Sequence, residues 1–172
     1  MQIVQLDEKI YKNQPFTVKY RTKGYYDIRR SGTTFSLEYV PFGEEKELSF
    51  DDKLLSDWLD HPIALGAFEG EAMLGFVEGF HEKWNNRFRI SNIHILEGNR
   101  GRGTGSALMQ AILAAARESG ARMAVLETQT CNERAIAFYR KMGFEIIGFD
   151  LYAYTNQDPE RHEVRLEMGL KL

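Results

Sequence analysis

Alternation of hydrophobic and polar positions predicts strands through most of the first half of the chain. The clearest cases are Phe35–Val40 and Phe88–Leu96. Ile63–Phe68 and Met73–Phe80 are separated by only a short, glycine-containing segment, and this arrangement predicts a hairpin. An additional early strand is expected at Phe16–Tyr20.

Other parts of the first half lack the strand pattern. The acidic segment Gly43–Glu47 predicts a loop, and Phe50–Leu59 carries its apolar residues at helical spacing, which predicts a helix. Residues 1–34 mix charged and aromatic side chains without a clear period. Apart from its early strand, this N-terminal segment is therefore expected to be poorly defined.

The second half of the chain alternates predicted helices and strands. Apolar residues at a 3.6-residue period predict a helix over Gly103–Ser119, and Gly120 follows as a C-terminal stop. The apolar run Met123–Leu126 predicts a buried strand. Asn132 is placed to cap a second helix, which Gly143 closes. The buried face of that helix is predicted to contain Ala135, Phe138, Tyr139 and Met142.

Two strands are predicted near the end of the chain, Glu145–Tyr154 and Val164–Leu170, on either side of the polar turn Thr155–Arg161. The order of elements, strands first and then alternating helices and strands, implies a mixed α/β sheet with helices on its faces. A chain of 172 residues suits one hydrophobic core, so a single domain over residues 1–172 is predicted.

Composition and charge narrow the classes of function. Hydrophobic residues make up 43% and charged residues 27%, which is ordinary for a soluble globular protein. The net charge of −3 argues against a protein that binds nucleic acid through overall positive charge. No apolar run approaches the ~18 residues of a membrane span, and the N-terminus lacks the positive flank of a signal peptide. With Cys131 as the one cysteine, a cytoplasmic location is expected, and no metal, nucleic acid or membrane partner.

The segment from Arg100 to Ser106 connects a predicted strand to a predicted helix and carries glycines at alternate positions. Glycines allow a backbone to approach a ligand closely with several N–H groups turned the same way. The helix that follows adds unpaired N–H groups and the positive end of its dipole. Together with Arg100 and Arg102, these groups predict a diphosphate-binding loop. A glycine-rich turn with solvated arginines is the alternative.

Two other phosphate-binding loops do not fit this spacing. A P-loop needs Lys followed by Ser or Thr after its last glycine, whereas Gly105 is followed by Ser106 and Ala107. A dinucleotide-binding fingerprint needs G-x-G-x-x-G, whereas Gly101, Gly103 and Gly105 alternate. Nucleotide hydrolysis and hydride transfer are therefore not expected.

Two blocks of the sequence, within residues 88–154, resemble the GNAT superfamily of N-acetyltransferases. Arg100-x-x-Gly103-x-Gly105 is similar to its R/Q-x-x-G-x-G/A signature, and the segment from Leu126 to Phe144 resembles its second conserved block. Some residues are most similar to the streptothricin acetyltransferase branch of that superfamily. These are Glu127-Thr128-Gln129, Asn132, Gly148-Phe149-Asp150 and Tyr154.

The resemblance implies a GNAT fold and acetyl-CoA as the acetyl donor. In that fold the central sheet is mixed and mostly antiparallel, with helices on both faces and a pair of strands that splay apart at the cofactor site. The pantetheine arm is then expected to pair with the backbone of Ile93, His94 and Ile95. Asn132 is expected near the pantetheine or the diphosphate, and a role as helix cap is an equal alternative. The diphosphate is expected on Arg100, Gly101, Arg102, Gly103, Thr104, Gly105 and Ser106.

Tyr139 is the general acid that the resemblance implies. A tyrosine at this place in the GNAT pattern lies near the thioester sulfur, and a phenol O–H suits protonation of the leaving thiolate. The alternative is an aromatic residue that only packs in the buried helix face. Two side chains, His94 and Glu78, are candidates for the base that deprotonates the acceptor amine, and a chain of water molecules is a third. Cys131 has no predicted histidine partner and is expected in the cleft wall rather than as a nucleophile.

The same resemblance implies a small-molecule primary amine as acceptor, such as streptothricin or another lysine-like cation, and antibiotic resistance as the corresponding role. Acidic residues between Glu38 and Asp60 would attract such a cation. Three alternatives stay open: transfer to a protein or peptide amine, an acyl-CoA-binding sensor without catalysis, and a purely structural domain. A homodimer is expected from the resemblance alone.

Overall fold

The computed structural model describes all residues, 1–172, and contains nine strands and four helices. The strands are β1 (Gln2–Gln5), β2 (Gln14–Ser31), β3 (Thr34–Leu54), β4 (Ile63–Glu69), β5 (Ala72–Glu82), β6 (Arg87–Ile95), β7 (Met123–Gln129), β8 (Glu145–Asp150) and β9 (Arg165–Lys171). The helices are α1 (Glu8–Tyr11), α2 (Thr104–Glu118), α3 (Glu133–Lys141) and α4 (Asp158–Arg161). None of the helices has the length and apolar composition that a membrane span requires.

The chain divides into two compact units. The first contains Met1–Val18, Asp51–Leu126 and Leu170–Leu172, and the second contains Lys19–Phe50 and Glu127–Gly169. The strand order is β1-β4-β5-β6-β7 in the first unit and β7-β9-β8 in the second. β7 appears in both because its first residues belong to the first unit and its last residues to the second. β2 and β3 form a separate two-stranded sheet. The assignment of residues 1–172 to a single domain stays a prediction.

In the first unit, the two sides of β6 differ. One side pairs with β5 in antiparallel fashion from Arg87 to Ile95. The other side pairs with β7 in parallel, but the ladder contains only three pairs and ends at Arg89 and Val125. β6 therefore continues toward its C-terminal end without a strand partner on the β7 side. β6 and β7 are thus the splayed pair of strands that the resemblance implied.

Helix α2 supplies much of the core of the first unit and packs against β4, β5 and β6. Its apolar residues recur every three or four positions, so they form one continuous stripe that faces the sheet. Complete burial of each large side chain in this stripe contributes about 1.5–3 kcal/mol of transfer free energy. The buried apolar residues of α2 are Leu108, Met109, Ile112, Leu113 and Ala116.

In the second unit, Glu133 at the start of α3 holds the β2–β3 hairpin. Its carboxylate accepts hydrogen bonds from the backbone N–H of Lys23 at 2.8 Å and from the hydroxyl of Tyr39 at 2.6 Å. Gly24 lies beside this contact, and a Cβ there would be 2.5 Å from the carbonyl oxygen of Val40. The absence of a side chain at residue 24 therefore lets the two strands approach at this point.

The structure corrects two predictions in the first half. Gly43–Glu47 is not a loop and Phe50–Leu59 is not a helix, because β3 runs without interruption from Thr34 to Leu54. Pairing with the long strand β2 satisfies the backbone of this acidic segment, and tertiary pairing overrides its local loop preference. The chain turns after Leu54, where Leu55 adopts a positive φ of 53°. Residues 1–34 contain β1, α1 and the whole of β2.

The second half follows the predicted order, with differences at element ends. α2, β7, α3 and β9 lie where the sequence placed them. β8 ends at Asp150 rather than Tyr154, and the polar turn before β9 contains the short helix α4. In α3 the fully buried side chain is that of Ile136, which the predicted face omitted. The predicted members of that face are half-buried: Ala135, Phe138, Tyr139 and Met142.

Candidate active site

The loop between β6 and α2 contains three glycines in the left-handed region. Gly98, Gly101 and Gly103 have φ angles of 82°, 77° and 85°. A Cβ added at any of them would meet nothing within 4 Å, so conformation rather than crowding favours glycine at these positions. Alternation of left-handed and ordinary residues turns successive backbone N–H groups toward one side, and such concavities bind anions.

The N-terminus of α2 is open to an anion. Gly103 is the N-cap residue and provides no side chain, and no acidic residue lies in the first turn. The first helical hydrogen bond runs from the N–H of Ala107 to the carbonyl of Gly103 at 3.0 Å. The N–H groups of Thr104, Gly105 and Ser106 therefore have no partner within the helix, and they lie at the positive end of its dipole.

Two arginines flank this N-terminus. The side chains of Arg100 and Arg102 are exposed, and Arg102 makes a long contact of 3.5 Å with the side-chain oxygen of Asn99. Arg100 also acts on His94 through its positive charge. The loop, the helix N-terminus and the two guanidinium groups together offer the donors and the charge that a diphosphate needs.

The backbone of Ile93, His94 and Ile95 lies on the splayed part of β6. On one side these residues pair with Val77, Phe76 and Gly75 of β5. In an antiparallel ladder alternate N–H and C=O groups point away from the partner strand. On the β7 side such groups have no strand partner, so an extended ligand could add to β6 as a strand would.

A β-bulge in β6 determines which side chains share a face of the sheet. Glu78 is opposite Asn92, whereas Gly79 is opposite Ile90, so Ser91 is an extra residue on β6. Directly opposed residues of an antiparallel pair point to the same face. Glu78 and Asn92 therefore share one face, and Phe76 with His94 continues it toward the glycine loop.

Glu78, a candidate base, is completely buried. One carboxylate oxygen accepts from the backbone N–H of Leu55 at 2.7 Å, and the other accepts from the side-chain amide of Asn92 at 2.8 Å. Burial raises the pKa of Glu78, the two donors oppose this, and the nearby charge of Asp52 raises the pKa further. Glu78 therefore binds protein groups on both oxygens and has no exposed surface.

His94, the other candidate base, packs between aromatic rings. Its ring centroid lies 5.3 Å from that of Phe16 and 5.5 Å from that of Phe76, and the residue is 8% exposed. Burial lowers the pKa of His94, and the positive charge of Arg100 lowers it further. The imidazole is consequently neutral near pH 7 and retains a nitrogen lone pair.

Asn132 and Tyr139 belong to the second unit, at the two ends of α3. The side-chain oxygen of Asn132 accepts a hydrogen bond from the N–H of Ala135 at 3.3 Å, so the helix-cap role is confirmed. Tyr139 is half-buried beside Phe138 and Phe144, with ring centroids 5.6 and 6.2 Å away. Burial raises the pKa of Tyr139 to about 12, so its phenol is protonated at neutral pH.

Cys131 precedes Asn132, the N-cap residue of α3, and its buried side chain contacts the Tyr20 hydroxyl. The Tyr20 hydroxyl donates to the side-chain oxygen of Gln129 at 2.9 Å and lies 3.3 Å from the Cys131 sulfur. Cys131 is 1% exposed, and its burial raises the pKa of the thiol. A protonated, enclosed thiol is a poor nucleophile, so this environment favours the cleft-wall expectation for Cys131.

Asp52 is one of the acidic residues expected to attract a cationic acceptor, but the sequence did not relate its carboxylate to Asn92 or Glu78. It accepts from the Asn92 amide at 3.1 Å, through the same nitrogen that donates to Glu78. Residues 52, 78 and 92 lie far apart in the sequence, and no local spacing relates them. No group of three or more His, Cys, Asp or Glu side chains is arranged to hold a metal ion.

Comparison with known proteins adds an independent line of support. The profile of the Acetyltransferase (GNAT) family matches residues 26–144, which is more than half of the chain. Streptothricin acetyltransferase of Streptomyces lavendulae is 32% identical over 161 residues, with 87% of this chain and 84% of that protein covered. Streptothricin acetyltransferase of Escherichia coli is 30% identical over 167 residues, with 96% and 93% covered.

A solved structure shows the same fold. It is that of a Bacillus anthracis protein described as a streptothricin acetyltransferase, in complex with acetyl coenzyme A. The TM-score is 0.75 at 24% identity, with 99% of this chain and 97% of that chain covered. At this identity the likeness concerns the fold, including the mostly antiparallel mixed sheet.

Replacement of Gly103 by Ala tests the loop. Alanine in the left-handed region costs about 1–2 kcal/mol. Without CoA, the loop of the variant is therefore expected to adopt another backbone conformation, and CoA binding must return it to the strained one. The expected result is CoA affinity reduced by roughly 5- to 30-fold in a calorimetric titration.

Gly70→Ala is the matched control for that titration. Gly70 also has a positive φ, of 60°, with nothing within 4 Å of an added Cβ, but it lies in the β4–β5 turn. Its replacement introduces similar backbone strain and is expected to leave CoA affinity unchanged. Equal losses in both variants would contradict a specific role for the loop.

Proposed function

The chain belongs to the GNAT family of acetyltransferases and is an acetyl-CoA-dependent N-acetyltransferase, and we propose that its acceptor is a small-molecule primary amine of the streptothricin type. The observation that carries the acceptor proposal is the similarity to two streptothricin acetyltransferases over nearly the whole of each chain. Antibiotic resistance is the corresponding role. A cytoplasmic location and a homodimer, both predicted from the sequence, are part of the proposal.

The glycine loop supports a role in holding the donor. The diphosphate of acetyl-CoA is proposed to bind the N–H groups from Gly101 to Ser106, with Arg100 and Arg102 balancing its charge. The pantetheine arm is proposed to pair with Ile93–Ile95, where β6 has no partner on the β7 side. Asn132 uses its side chain as a helix cap, and its predicted approach to the cofactor is part of the proposal.

Tyr139 is proposed as the acid that protonates the departing CoA thiolate. Two properties support this role. Its phenol is protonated at neutral pH, because burial raises the pKa to about 12. A hydroxyl that is half-buried, protonated and close to a developing negative charge stabilises that charge more strongly than water does.

The direct test of function is release of free CoA thiol from acetyl-CoA over a panel of acceptors. The panel contains streptothricin, free lysine, a polyamine and a lysine-containing peptide. We expect turnover with streptothricin and with the lysine-like small amines to exceed that with the peptide, and mass spectrometry should show one added acetyl group.

Other results of this assay identify the alternatives. Preference for the peptide would favour a protein acetyltransferase. Binding of acetyl-CoA without thiol release from any acceptor would favour a sensor. Absence of acetyl-CoA binding would favour a structural domain and would contradict the assignment of the loop.

Replacement of Tyr139 by Phe tests the acid. Loss of the proton donor is expected to lower kcat by about a hundredfold or more, since positioned proton transfer contributes factors of that size. Acetyl-CoA affinity and the melting temperature are expected to stay unchanged, because the ring and its contacts with Phe138 and Phe144 remain.

Tyr152→Phe is the control for this measurement. Tyr152 is 59% exposed and precedes the polar turn, so removal of its hydroxyl should leave kcat unaltered. Wild-type turnover in the Tyr139 variant would show that residue 139 only packs.

A further inference from the structure

A buried network connects three elements of the first unit beside the bulge of β6. The Asn92 amide nitrogen lies 2.8 Å from a carboxylate oxygen of Glu78 and 3.1 Å from one of Asp52. Because both neighbours are carboxylates that accept hydrogen bonds, this atom must be the nitrogen and not the oxygen of the amide. The Asn92 amide therefore donates to both carboxylates and bridges them.

The two carboxylates of the network differ in what else they contact. Glu78 is fully enclosed, and its second oxygen accepts from the N–H of Leu55. This bond fixes the turn that follows β3, where Leu55 has a positive φ. Asp52 is half-buried and lies at the open side of the network, with its other oxygen bonded only to the adjacent N–H of Lys53 at 2.7 Å.

The position of the network along β6 relates it to the donor. Asn92 immediately follows the bulged Ser91 and precedes Ile93, the first residue proposed to pair with the pantetheine arm. The strand that carries Asn92 then leads through His94 and Ile95 to the glycine loop. The diphosphate and the pantetheine would thus follow β6 backward from the loop toward the bulge, where the Asp52 carboxylate is the accessible acid.

We propose that Asp52 is the group that accepts the proton from the acceptor ammonium, and that Asn92 and Glu78 are positioning residues that hold its carboxylate beside the bulge of β6. This inference rests on the proposed acetyl transfer and deepens it, because it requires a cationic primary amine as the acceptor. It differs from the sequence interpretation, which offered His94 and Glu78.

The proposed step has a simple balance. An N–H bond of the ammonium breaks and its proton binds an oxygen of Asp52, which leaves a neutral amine with a lone pair. The lone pair forms the new N–C bond to the acetyl carbonyl, the C–S bond breaks with its electrons on sulfur, and the thiolate takes a proton from Tyr139. The nitrogen then loses a second proton, which passes through water to the Tyr139 phenolate and leaves a neutral amide. The Asp52 proton returns to water, so one proton is released for each amide formed.

The surroundings of Asp52 favour this role electrostatically. Glu78 faces Asp52 through Asn92. The adjacent Asp51 and Lys53 point to the other side of the strand, where Asp51 accepts from Thr17 at 2.7 Å. Two carboxylates that share one amide donor attract a cation together.

The test is the pH dependence of kcat/KM for Asp52→Asn with streptothricin or free lysine as acceptor. Near pH 7 the variant is expected to be slower than wild type by about a hundredfold, in the range of general-base effects. An amine with a pKa of about 10.4 is increasingly neutral at high pH and then needs no base. The deficit should therefore shrink by roughly tenfold or more between pH 7 and pH 9.5.

Two further variants separate chemistry from structure. Asp51→Asn removes a charge next to Asp52 without touching the network, and its kcat/KM is expected to equal that of wild type. Asp52→Glu keeps a carboxylate and is expected to recover part of the rate that Asp52→Asn loses. Calorimetric acetyl-CoA affinity should be the same in all these proteins, because none of the substitutions alters the glycine loop.

The outcomes distinguish this inference from the proposed function. A deficit that stays constant across the pH range, or one matched by Asp51→Asn, would overturn the role of Asp52 while wild-type turnover upholds acetyl transfer. If wild type itself releases no thiol with any amine, both fail together. A deficit that narrows with pH and is relieved by Asp52→Glu supports the proposal.

Discussion

The backbone of β6 is the constraint on which the candidate active site depends. Its β5 side is paired throughout, and its β7 side loses its partner after Arg89. Backbone N–H and C=O groups beyond the end of a strand ladder need other hydrogen-bond partners, and an extended ligand can supply them along the strand. The same strand then enters a loop whose glycines and helix N-terminus are suited to a diphosphate. In the proposed binding mode, β6 and the loop that follows it supply hydrogen-bond partners for two successive parts of the cofactor, the pantetheine arm and the diphosphate.

The bulge at Ser91 determines which polar side chains lie together beside this strand. It brings Asn92 and His94 onto the face of Glu78, where a buried carboxylate and an amide fix the end of β3. A completely buried Glu78 would be costly unless both oxygens had donors, and both do. We therefore regard Glu78 as the anchor of the network and the half-buried Asp52 as its reactive member.

The sequence predicted the features that neighbouring residues determine and missed those that depend on contacts between residues far apart in the chain. The glycine loop and the Asn132 cap are local patterns, and their conformations followed from residue type. The part of β3 after Val40 was missed, because its acidic residues disfavour a strand locally. The strand that pairs with it, β2, lies earlier in the chain, and local spacing does not reveal this pairing. The Asp52–Asn92–Glu78 network was missed for two reasons. Periodicity does not reveal the register shift that puts Asn92 opposite Glu78, and Asp52 comes from the end of the distant strand β3. Family resemblance pointed to Tyr139, whereas spacing alone could not separate catalysis from packing.

The proposed active site depends on binding of the donor diphosphate by the loop after β6. A crystal structure of the protein with CoA tests it most directly. We expect diphosphate oxygens within hydrogen-bond distance of the N–H groups between Gly101 and Ser106, and pantetheine amides paired with Ile93–Ile95. A diphosphate bound elsewhere, with these N–H groups facing only water, would contradict it.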